Sequence, residues 1–171
     1  MKNRSYLSLG SNIGNRENNL SKAIKLISGD NLNQILKMSN IYETEPMYFS
    51  SKNNFYNMVI LIETDLNPGD LLNSLKNIEK VIGRTSIHNK SREIDIDILT
   101  FNNEIINYKY LVIPHPKIKE RKFVLEPWTE LDNNYKLPNE KLSINYFLNK
   151  LDANIMCKKV KDSITQGTIN V

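Results

Sequence analysis

The stretch Phe55-Tyr-Asn-Met-Val-Ile-Leu-Ile-Glu-Thr64 has the composition of a long β-strand, with a nearly continuous apolar centre over Met58–Ile62. A helix is predicted directly after it. Asn67 is a favourable N-cap, Pro68 suits the first turn, and apolar residues recur at helical spacing until Gly83. This stretch therefore predicts a buried strand followed by an amphipathic helix, and the rest of the fold is built around that pair.

The same order occurs earlier in the chain. Ser5–Leu9 is a predicted short strand that ends at Gly10, and the polar stretch Ser11–Asn15 leads into a helix. Ile35–Tyr42 alternates as a strand does, and Ile94–Phe101 is a fourth strand. The order strand-helix-strand-strand-helix-strand is the ferredoxin-like pattern of an α+β fold. It predicts a four-stranded antiparallel sheet with both helices on one face.

The length of the chain supports one core. With 171 residues, we expect a single domain over residues 1–171. Further elements follow the predicted core: Glu104–Ile113 after a turn, and Ser143–Leu151 as a late helix. Residues 152–171 mix lysines with β-forming residues without a clear period, so the sequence assigns them no structure.

Charge and cysteine content narrow the class of protein. The net charge of +4 and the pI near 9.0 favour a polyanionic partner: a nucleotide, a nucleic acid or an anionic membrane. Cys157 is the single cysteine, which excludes an internal disulfide and a zinc site built on several cysteines of one chain. We see no stretch with the length of a signal peptide or a membrane span, and we expect a cytoplasmic protein.

Two polar connections are longer than ordinary hairpin or helix-strand loops. They are Glu43–Asn54, between two predicted strands, and Arg84–Arg92, between the second helix and the fourth strand. Loops of this length are often lids of active sites, but they are equally often ordinary surface. Length alone leaves both interpretations open.

The stretch Arg92-Glu-Ile-Asp-Ile-Asp-Ile-Leu99 carries the strongest chemical signal. On a strand, its isoleucines point into a core while Glu93, Asp95 and Asp97 point to the opposite face. Asp95 and Asp97 are then about 6.6 Å apart, a spacing that can hold one or two hard cations. The alternative is a wet strand face with solvated acids. Without a cation, we expect the two carboxylates to repel each other.

Cations flank this acidic strand on both sides in the sequence. Carboxylates that gather magnesium, together with cations that hold phosphate oxygens, are typical of a phosphoryl-transfer site. The sequence has no Walker-type or kinase-type glycine loop, so side chains and metals would have to hold a nucleotide. The flanking cations are Arg84, Lys90, Arg92, Lys117, Lys119, Arg121 and Lys122.

A series of short motifs resembles the hydroxymethyldihydropterin pyrophosphokinase family. Each motif is weak alone, but they occur in the family's order over residues 5–127, about three quarters of the chain. They are Gly10-Ser11-Asn12, Tyr42-Glu43-Thr44-Glu45-Pro46, Phe55-Tyr56-Asn57, Glu79 ahead of Gly83-Arg84, Arg92 to Leu99, Pro114-His115-Pro116, and Arg121-Lys122-Phe123 to Pro127.

The resemblance implies an enzyme of folate biosynthesis. It would transfer pyrophosphate from ATP to the hydroxymethyl group of 6-hydroxymethyl-7,8-dihydropterin, giving AMP and the pterin diphosphate. Asp95 and Asp97 would bind two Mg²⁺ ions and act with Arg92 in catalysis. The implied ATP-binding residues are Glu79, Arg84, Arg92, Ile98, His115 and Arg121.

The resemblance also implies a pterin site in which the ring lies between Phe55 and Phe123 while Asn57 reads its edge. The implied pterin-binding residues are Gly10, Thr44, Glu45, Phe55, Asn57 and Phe123. Without the resemblance, the two phenylalanines are by default core residues and the arginines are solvated charges. Asn57 shares a strand face with Phe55, and a polar group in that position favours a pocket over a pure core. We interpret Trp128 as a core residue.

Two other functions remain open from the sequence. An RNA-binding module of the RRM type has the same element order, although its diagnostic aromatic strand motif is absent and the acidic strand would repel RNA. A catalytically impaired partner-binding domain is the other, because Asn89-Lys90-Ser91 stands where many family members carry an aromatic-Gly-Pro segment. The resemblance implies small-molecule substrates and a monomer, with neither nucleic acid nor membrane as partner.

Overall fold

The computed structural model describes residues 2–47, 53–83 and 92–162. Its strands and helices follow the predicted order, with additions near the carboxyl terminus. The strands are β1 (Asn3–Ser11), β2 (Asn33–Met38), β3 (Ile41–Thr44), β4 (Phe55–Thr64), β5 (Asp95–Phe101), β6 (Ile106–Tyr108), β7 (Leu111–Ile113) and β8 (Cys157–Lys161). The helices are α1 (Arg16–Ser28), α2 (Pro68–Ile82), α3 (Lys122–Asp132) and α4 (Ile144–Leu148).

The main sheet confirms the ferredoxin-like α+β prediction and extends it. Its order is β5-β1-β4-β3-β8, β2 also pairs with β4, and the pairings among the described residues are antiparallel. The sheet thus has six strands in the described part of the chain instead of the four predicted. One extra strand is β8, and the other arises because the predicted strand Ile35–Tyr42 is two strands.

The interruption between β2 and β3 has a local cause. At Ser39 the backbone N–H donates to the carbonyl of Val59, and the serine Oγ accepts the N–H of Val59 at 2.9 Å. The Ser39 side chain thereby replaces one backbone partner of β4, and the strand starts again at Ile41. The alternation of apolar residues in a sequence does not reveal that a side chain takes the place of a backbone hydrogen-bond partner.

Helices α1 and α2 lie on one face of the sheet, as predicted. The side chain of Asn67 caps α2 by accepting the N–H of Asp70 at 3.0 Å, and Gly83 ends the helix in the left-handed region at φ 119°. Both helices contribute apolar residues to one buried cluster with the sheet. Its members include Leu20, Ala23, Ile24, Ile27, Leu71, Leu75, Ile94, Ile96 and Ile98.

The opposite face is covered by α3, which the sequence analysis did not predict. Trp128 of α3 is fully buried, as expected for a core residue, and packs against Tyr6 with ring centroids 4.8 Å apart. Val59, Leu61 and Leu99 complete this second layer. An RRM needs this face open for stacking bases, so the covering helix argues against that alternative.

The described residues after α3 form further elements. The predicted late helix is present as α4, and Cys157–Lys161, within the segment left unassigned, forms β8 against β3. Strands β6 and β7 form a separate hairpin after β5. Across residues 2–47, 53–83 and 92–162, no helix combines the length and apolar character needed to cross a membrane.

Candidate functional site

One cavity opens on the α3 face, where the helix stops covering the sheet. Along β1, β4 and β5, the residues facing α3 are apolar beneath the helix and become polar towards the end of the strands. The register brings these polar ends together, because Gly10 pairs with Asn57 on one side and with Asp95 on the other. The lining residues are Ser8, Gly10, Thr44, Glu45, Met47, Phe55, Asn57, Arg92, Asp95, Asp97, Arg121 and Phe123.

At the centre of this cavity the Asn57 side chain approaches the backbone of β1 so closely that position 10 must be glycine. A Cβ atom at Gly10 would lie 2.6 Å from Oδ1 of Asn57 and 3.7 Å from the Phe55 ring. Asn57 is itself buried, and its Nδ2 donates to Oγ1 of Thr44 at 2.7 Å. The amide is therefore held in one orientation by two neighbouring strands.

The two aromatic residues predicted for ring stacking both line the cavity. Phe55 begins β4 and Phe123 lies in the first turn of α3, and both are partly buried. The Arg121 guanidinium lies 5.5 Å from the Phe123 ring centroid. The aromatic and amide groups thus form one end of the cavity, and the charged groups form the other.

The acidic end contains two ion pairs. Asp95 Oδ2 lies 2.8 Å from Arg92 Nη1, and Asp97 Oδ2 accepts a hydrogen bond of 3.0 Å from Arg121 Nη1. These ion pairs offset the repulsion expected between Asp95 and Asp97, which stays a prediction for the metal-free protein. Each carboxylate has a guanidinium partner that the strand pattern did not show.

The charges around Asp97 decide its protonation state. Burial opposes ionisation, but the charges of His115, Arg121 and Lys76 outweigh burial and lower the pKa of Asp97 below its ordinary value. Burial lowers the pKa of His115 despite the nearby Asp97 carboxylate. His115 therefore contributes its charge to Asp97 when the imidazole is protonated at low pH, whereas Arg121 and Lys76 are the charges that favour ionised Asp97 at pH 7.

The hydrogen bonds of His115 fix its tautomer. Its Nδ1 accepts the backbone N–H of Lys117 at 3.1 Å, so the proton of the neutral ring is on Nε2. Nε2 lies 3.9 Å from Oδ2 of Asp97. The imidazole therefore presents a donor towards the acidic end of the cavity.

The residues fit a magnesium ion that is completed by a substrate. In the described residues no group of three or more His, Cys, Asp or Glu side chains could hold a metal by itself. Asp95 and Asp97 nevertheless offer carboxylate oxygens on one face of β5, and both line the same cavity. Mg²⁺ is commonly held by one or two carboxylates while phosphates and water fill the other positions.

A second cleft adjoins the first and shares Asp97 with it. It lies beside the outer edge of β5, against the β6–β7 hairpin, and its walls are mostly apolar. Ile98 and His115, both implied as ATP-binding residues, line it. The full lining is Leu72, Lys76, Ile96, Asp97, Ile98, Tyr110, Leu111, Val112, His115 and Pro116.

Glu79 lies behind this second cleft and does not line it. Its buried carboxylate accepts the backbone N–H of Ile96 at 2.7 Å and pairs with Lys76 Nζ at 3.1 Å. Glu79 therefore joins α2 to β5 and orients Lys76, whose side chain reaches the cleft. Its implied direct contact with ATP stays a prediction.

Two polar residues outside the predicted set anchor the segments around the cavity. Asn12 exchanges hydrogen bonds with the backbone of Arg92, at 2.7 and 3.1 Å. Arg16 donates through Nη1 to Glu43 at 2.9 Å and to the Asn54 carbonyl at 2.8 Å, and it stacks on Tyr56. Arg16 thereby ties together the two ends of the loop between β3 and β4.

The structure brings together most of the predicted site residues. Arg84 and the Asn89-Lys90-Ser91 segment lie outside the described residues. Ser8, Met47 and Lys76 line the clefts without having been predicted. Ser8 could have been inferred, because it alternates with Gly10 on one face of β1, whereas Lys76 depends on how α2 packs against β5.

Comparison with known proteins agrees with this geometry. A family model described as 7,8-dihydro-6-hydroxymethylpterin-pyrophosphokinase (HPPK) matches residues 6–133. The chain is 42% identical over 132 residues to the 2-amino-4-hydroxy-6-hydroxymethyldihydropteridine pyrophosphokinase of Bacillus subtilis, covering 77% of this chain and 79% of that protein. It is also 42% identical over 147 residues to the folic acid synthesis protein fol1 of Pneumocystis carinii.

The relatives differ in length. The alignment with the Pneumocystis protein covers 85% of this chain but 20% of that protein, so this chain spans about a fifth of that relative. Among solved structures, Plasmodium falciparum HPPK-DHPS with pteroate has a TM-score of 0.73 at 19% identity, over 88% of this chain and 42% of that one. That similarity supports the fold. Because the family model covers well over half of its residues, this chain belongs to the 7,8-dihydro-6-hydroxymethylpterin-pyrophosphokinase family.

Proposed function

We propose that this chain transfers the pyrophosphoryl group of ATP to the hydroxymethyl oxygen of 6-hydroxymethyl-7,8-dihydropterin, in folate biosynthesis. The hydroxymethyl oxygen attacks the β-phosphorus and its proton is released to solvent, while the bond from that phosphorus to the oxygen of the α-phosphate breaks and AMP leaves. One observation carries the proposal: a cavity in which a neutral end with aromatic and amide groups adjoins a charged end with two aspartates and two arginines.

The neutral end suits a flat heterocycle with donors and acceptors on its edge. Phe55 and Phe123 offer ring faces for stacking, which favours a planar ligand over a flexible one. Asn57 is oriented by its bond to Thr44 and can hydrogen-bond to the ligand edge. Gly10 and Thr44 complete the wall, and the exposed Glu45 adds one carboxylate to this otherwise uncharged end. The pterin ring is proposed to bind at this end.

The charged end suits the polyphosphate of ATP. Arg92 and Arg121 reach into it beside Asp95 and Asp97, and the buried Nε of Arg92 has no hydrogen-bond partner among the described residues. Asp95 and Asp97 would hold Mg²⁺, two ions in the proposal, which would neutralise phosphate charge and make the alcohol a better nucleophile. The arginines would then exchange their carboxylate partners for phosphate oxygens.

The second cleft is proposed to take the nucleoside part of ATP. Its walls of leucine, isoleucine and valine suit a base, and it meets the first cavity at Asp97. Ile98 would contact the base, while Lys76 and the Nε2 proton of His115 face the junction, where the phosphates would lie. Catalysis then rests on positioning and charge stabilisation, without a covalent intermediate.

We also propose an oligomeric state and a cellular compartment for the enzyme. We propose a monomer, because the roles assigned above need no residue beyond those that line the two clefts. We place the enzyme in the cytoplasm, where Cys157 stays a reduced thiol. A catalytically impaired partner-binding domain is the alternative, and it predicts ligand binding without turnover.

The test is the identity of the nucleotide product. Purified protein incubated with ATP, Mg²⁺ and the hydroxymethyl dihydropterin should form AMP in equal amount to the pterin diphosphate, measured by chromatography. Omission of the pterin should abolish AMP formation. ADP as the sole nucleotide product, or no turnover although both ligands bind, would contradict the proposal.

A further inference from the structure

A turn near the carboxyl terminus connects two walls of the cavity from outside. We propose that this turn, residues 152–156, and Lys122 set the width of the pterin-binding end and act as positioning residues for it. The inference rests on the proposed function, because it concerns how the pterin pocket is held. We call residues 152–156 the terminal turn.

Lys122 anchors the terminal turn to α3. Its Nζ donates to the backbone carbonyls of Asp152, Ala153 and Ile155, at 3.5, 3.1 and 2.9 Å. Lys122 lies between Arg121 and Phe123, two residues that line the cavity. The wall of the cavity formed by the start of α3 is therefore bonded directly to the terminal turn.

The position of Lys122 shows that this contact offsets a local cost. Lys122 is the first residue of α3, whose first turn carries no acidic residue. A cation at a helix amino terminus is disfavoured by the helix dipole. Three carbonyl acceptors compensate for that placement. A lysine at this position is therefore explained by its hydrogen bonds to the terminal turn and not by any stabilising effect on α3.

The other end of the terminal turn is bonded to the opposite wall. The N–H of Met156 donates to Oε1 of Glu45 at 3.3 Å, and Glu45 lines the cavity. Directly afterwards β8 pairs with β3, with Cys157 opposite Thr44. The four-residue strand β3 is thus held by β4 on one side and by β8 on the other.

These contacts form a continuous series that joins the two sides of the pocket from outside, and we call it the wall linkage. The wall linkage runs from Phe123 through Lys122 and the terminal turn to Glu45, and then across β3 and β4 to Phe55. A ligand that stacks between the two phenylalanines needs their separation to be fixed before it binds. Loss of one bond in the wall linkage should therefore weaken pterin binding. The nucleotide cleft beside β5 lies outside the wall linkage, so nucleotide binding should not depend on it.

The central experiment replaces Lys122 by methionine, which keeps an unbranched side chain one atom shorter and removes its donor. By titration calorimetry, we expect the Kd of the hydroxymethyl dihydropterin to rise about three- to tenfold. The Kd of a non-hydrolysable ATP analogue should stay within about twofold. The matched control is Lys22→Met, at an exposed position of α1 on the face of the sheet opposite α3.

A second reading distinguishes positioning from general stability. Burial is the main reason why the pKa of Cys157 is raised to about 12, so its thiol should alkylate slowly in the native protein. Loss of the Lys122 charge by itself would raise the pKa of Cys157 further and slow alkylation, so faster alkylation in Lys122→Met, which we expect, reports that the start of β8 has lost its anchor. The double variant with Glu45→Ala should weaken pterin binding by less than the product of the two single effects.

Several results would overturn the inference. They are an unchanged pterin Kd, an equal weakening of both ligands, or strictly multiplicative effects in the double variant. If Lys122→Met does not fold, Met156→Pro removes one N–H donor and should give the same selective loss. If the wild-type protein forms AMP while both variants bind pterin normally, the wall linkage does not position the pterin pocket, and the proposed function stands.

Discussion

The two ends of the cavity are built in different ways. The neutral end rests on adjacent strands, where Gly10, Asn57 and Thr44 are fixed by backbone pairing and by a buried side-chain hydrogen bond. The charged end rests on ion pairs, Asp95 with Arg92 and Asp97 with Arg121. Strand pairing is costly to rearrange, whereas an ion pair at a cavity wall can exchange partners.

This difference indicates which parts of the site change on binding. The neutral end is preorganised, so substitutions there should act on affinity for the flat ligand. The charged end holds aspartates and arginines against each other, and in the proposed reaction metal ions and phosphates would separate them, so substitutions there should act on turnover.

The largest effect is expected at the charged end, for Asp97→Asn. Asparagine keeps the shape but loses the charge that would hold Mg²⁺, so kcat should fall about 10²-fold or more, in a coupled assay for AMP. The pterin Kd should change little. Asp65→Asn, at an exposed pair with Lys2 beyond the end of β4 that is opposite the cavity, is the matched control.

The same variant tests the ion pair in the metal-free protein. The pKa of Asp97 is lowered in the folded state, so its ionised form stabilises the fold above the unfolded pKa, and that contribution is lost as the pH falls. At pH 7 without metal, Asp97→Asn should therefore melt at or below the wild-type temperature. A clearly higher melting temperature would show that repulsion between Asp95 and Asp97 dominates after all.

A smaller effect is expected at the neutral end, for Gly10→Ala. The added Cβ would lie 2.6 Å from Oδ1 of Asn57, so the amide must move and its bond to Thr44 is strained. Pterin affinity should fall about tenfold, with ATP affinity retained, as measured by titration calorimetry. Gly69→Ala is the control, since its Cβ would meet the nearest atom at 3.4 Å. Unchanged pterin affinity in Gly10→Ala would place the ring elsewhere.

The smallest effect is expected for Arg16→Met, outside the cavity. The variant removes the bonds that join Glu43 to the Asn54 carbonyl but keeps an apolar stem against Tyr56. Because these groups are partly exposed, we expect the KM for pterin to rise about two- to fivefold at nearly constant kcat. Steady-state kinetics with saturating ATP measures this. A fall in kcat without a change in KM would contradict a role in holding the loop.

The sequence predicted the fold well because its signals are local. The caps at Asn67 and Gly83 and the alternation in β5 depend on neighbours within a few residues, and the structure agrees with both. The Ser39 interruption and the strand β8 depend on partners distant in the chain, on β4 and β3. Helix α3 has a proline, Pro127, in its interior, which hid its period.

The motifs predicted many of the residues that line the cavity, but they did not predict the ion pairs among them. Strand alternation placed Asp95 and Asp97 on one face, but it could not show that Arg92 and Arg121 reach them. Glu79 has the sequence context of an exposed helix carboxylate, yet it is buried against the backbone of Ile96. Such contacts arise when separate elements pack, and no spacing within one element reveals them.

The most direct test follows the oxygen that bridges the α- and β-phosphates of ATP. Attack on the β-phosphorus breaks its bond to this oxygen, which must leave with AMP. With ¹⁸O at the bridge, mass spectrometry should find the label in AMP and an unlabelled pterin diphosphate. Label in released pyrophosphate, together with a pterin that carries AMP, would mean attack at the α-phosphorus and would contradict pyrophosphoryl transfer.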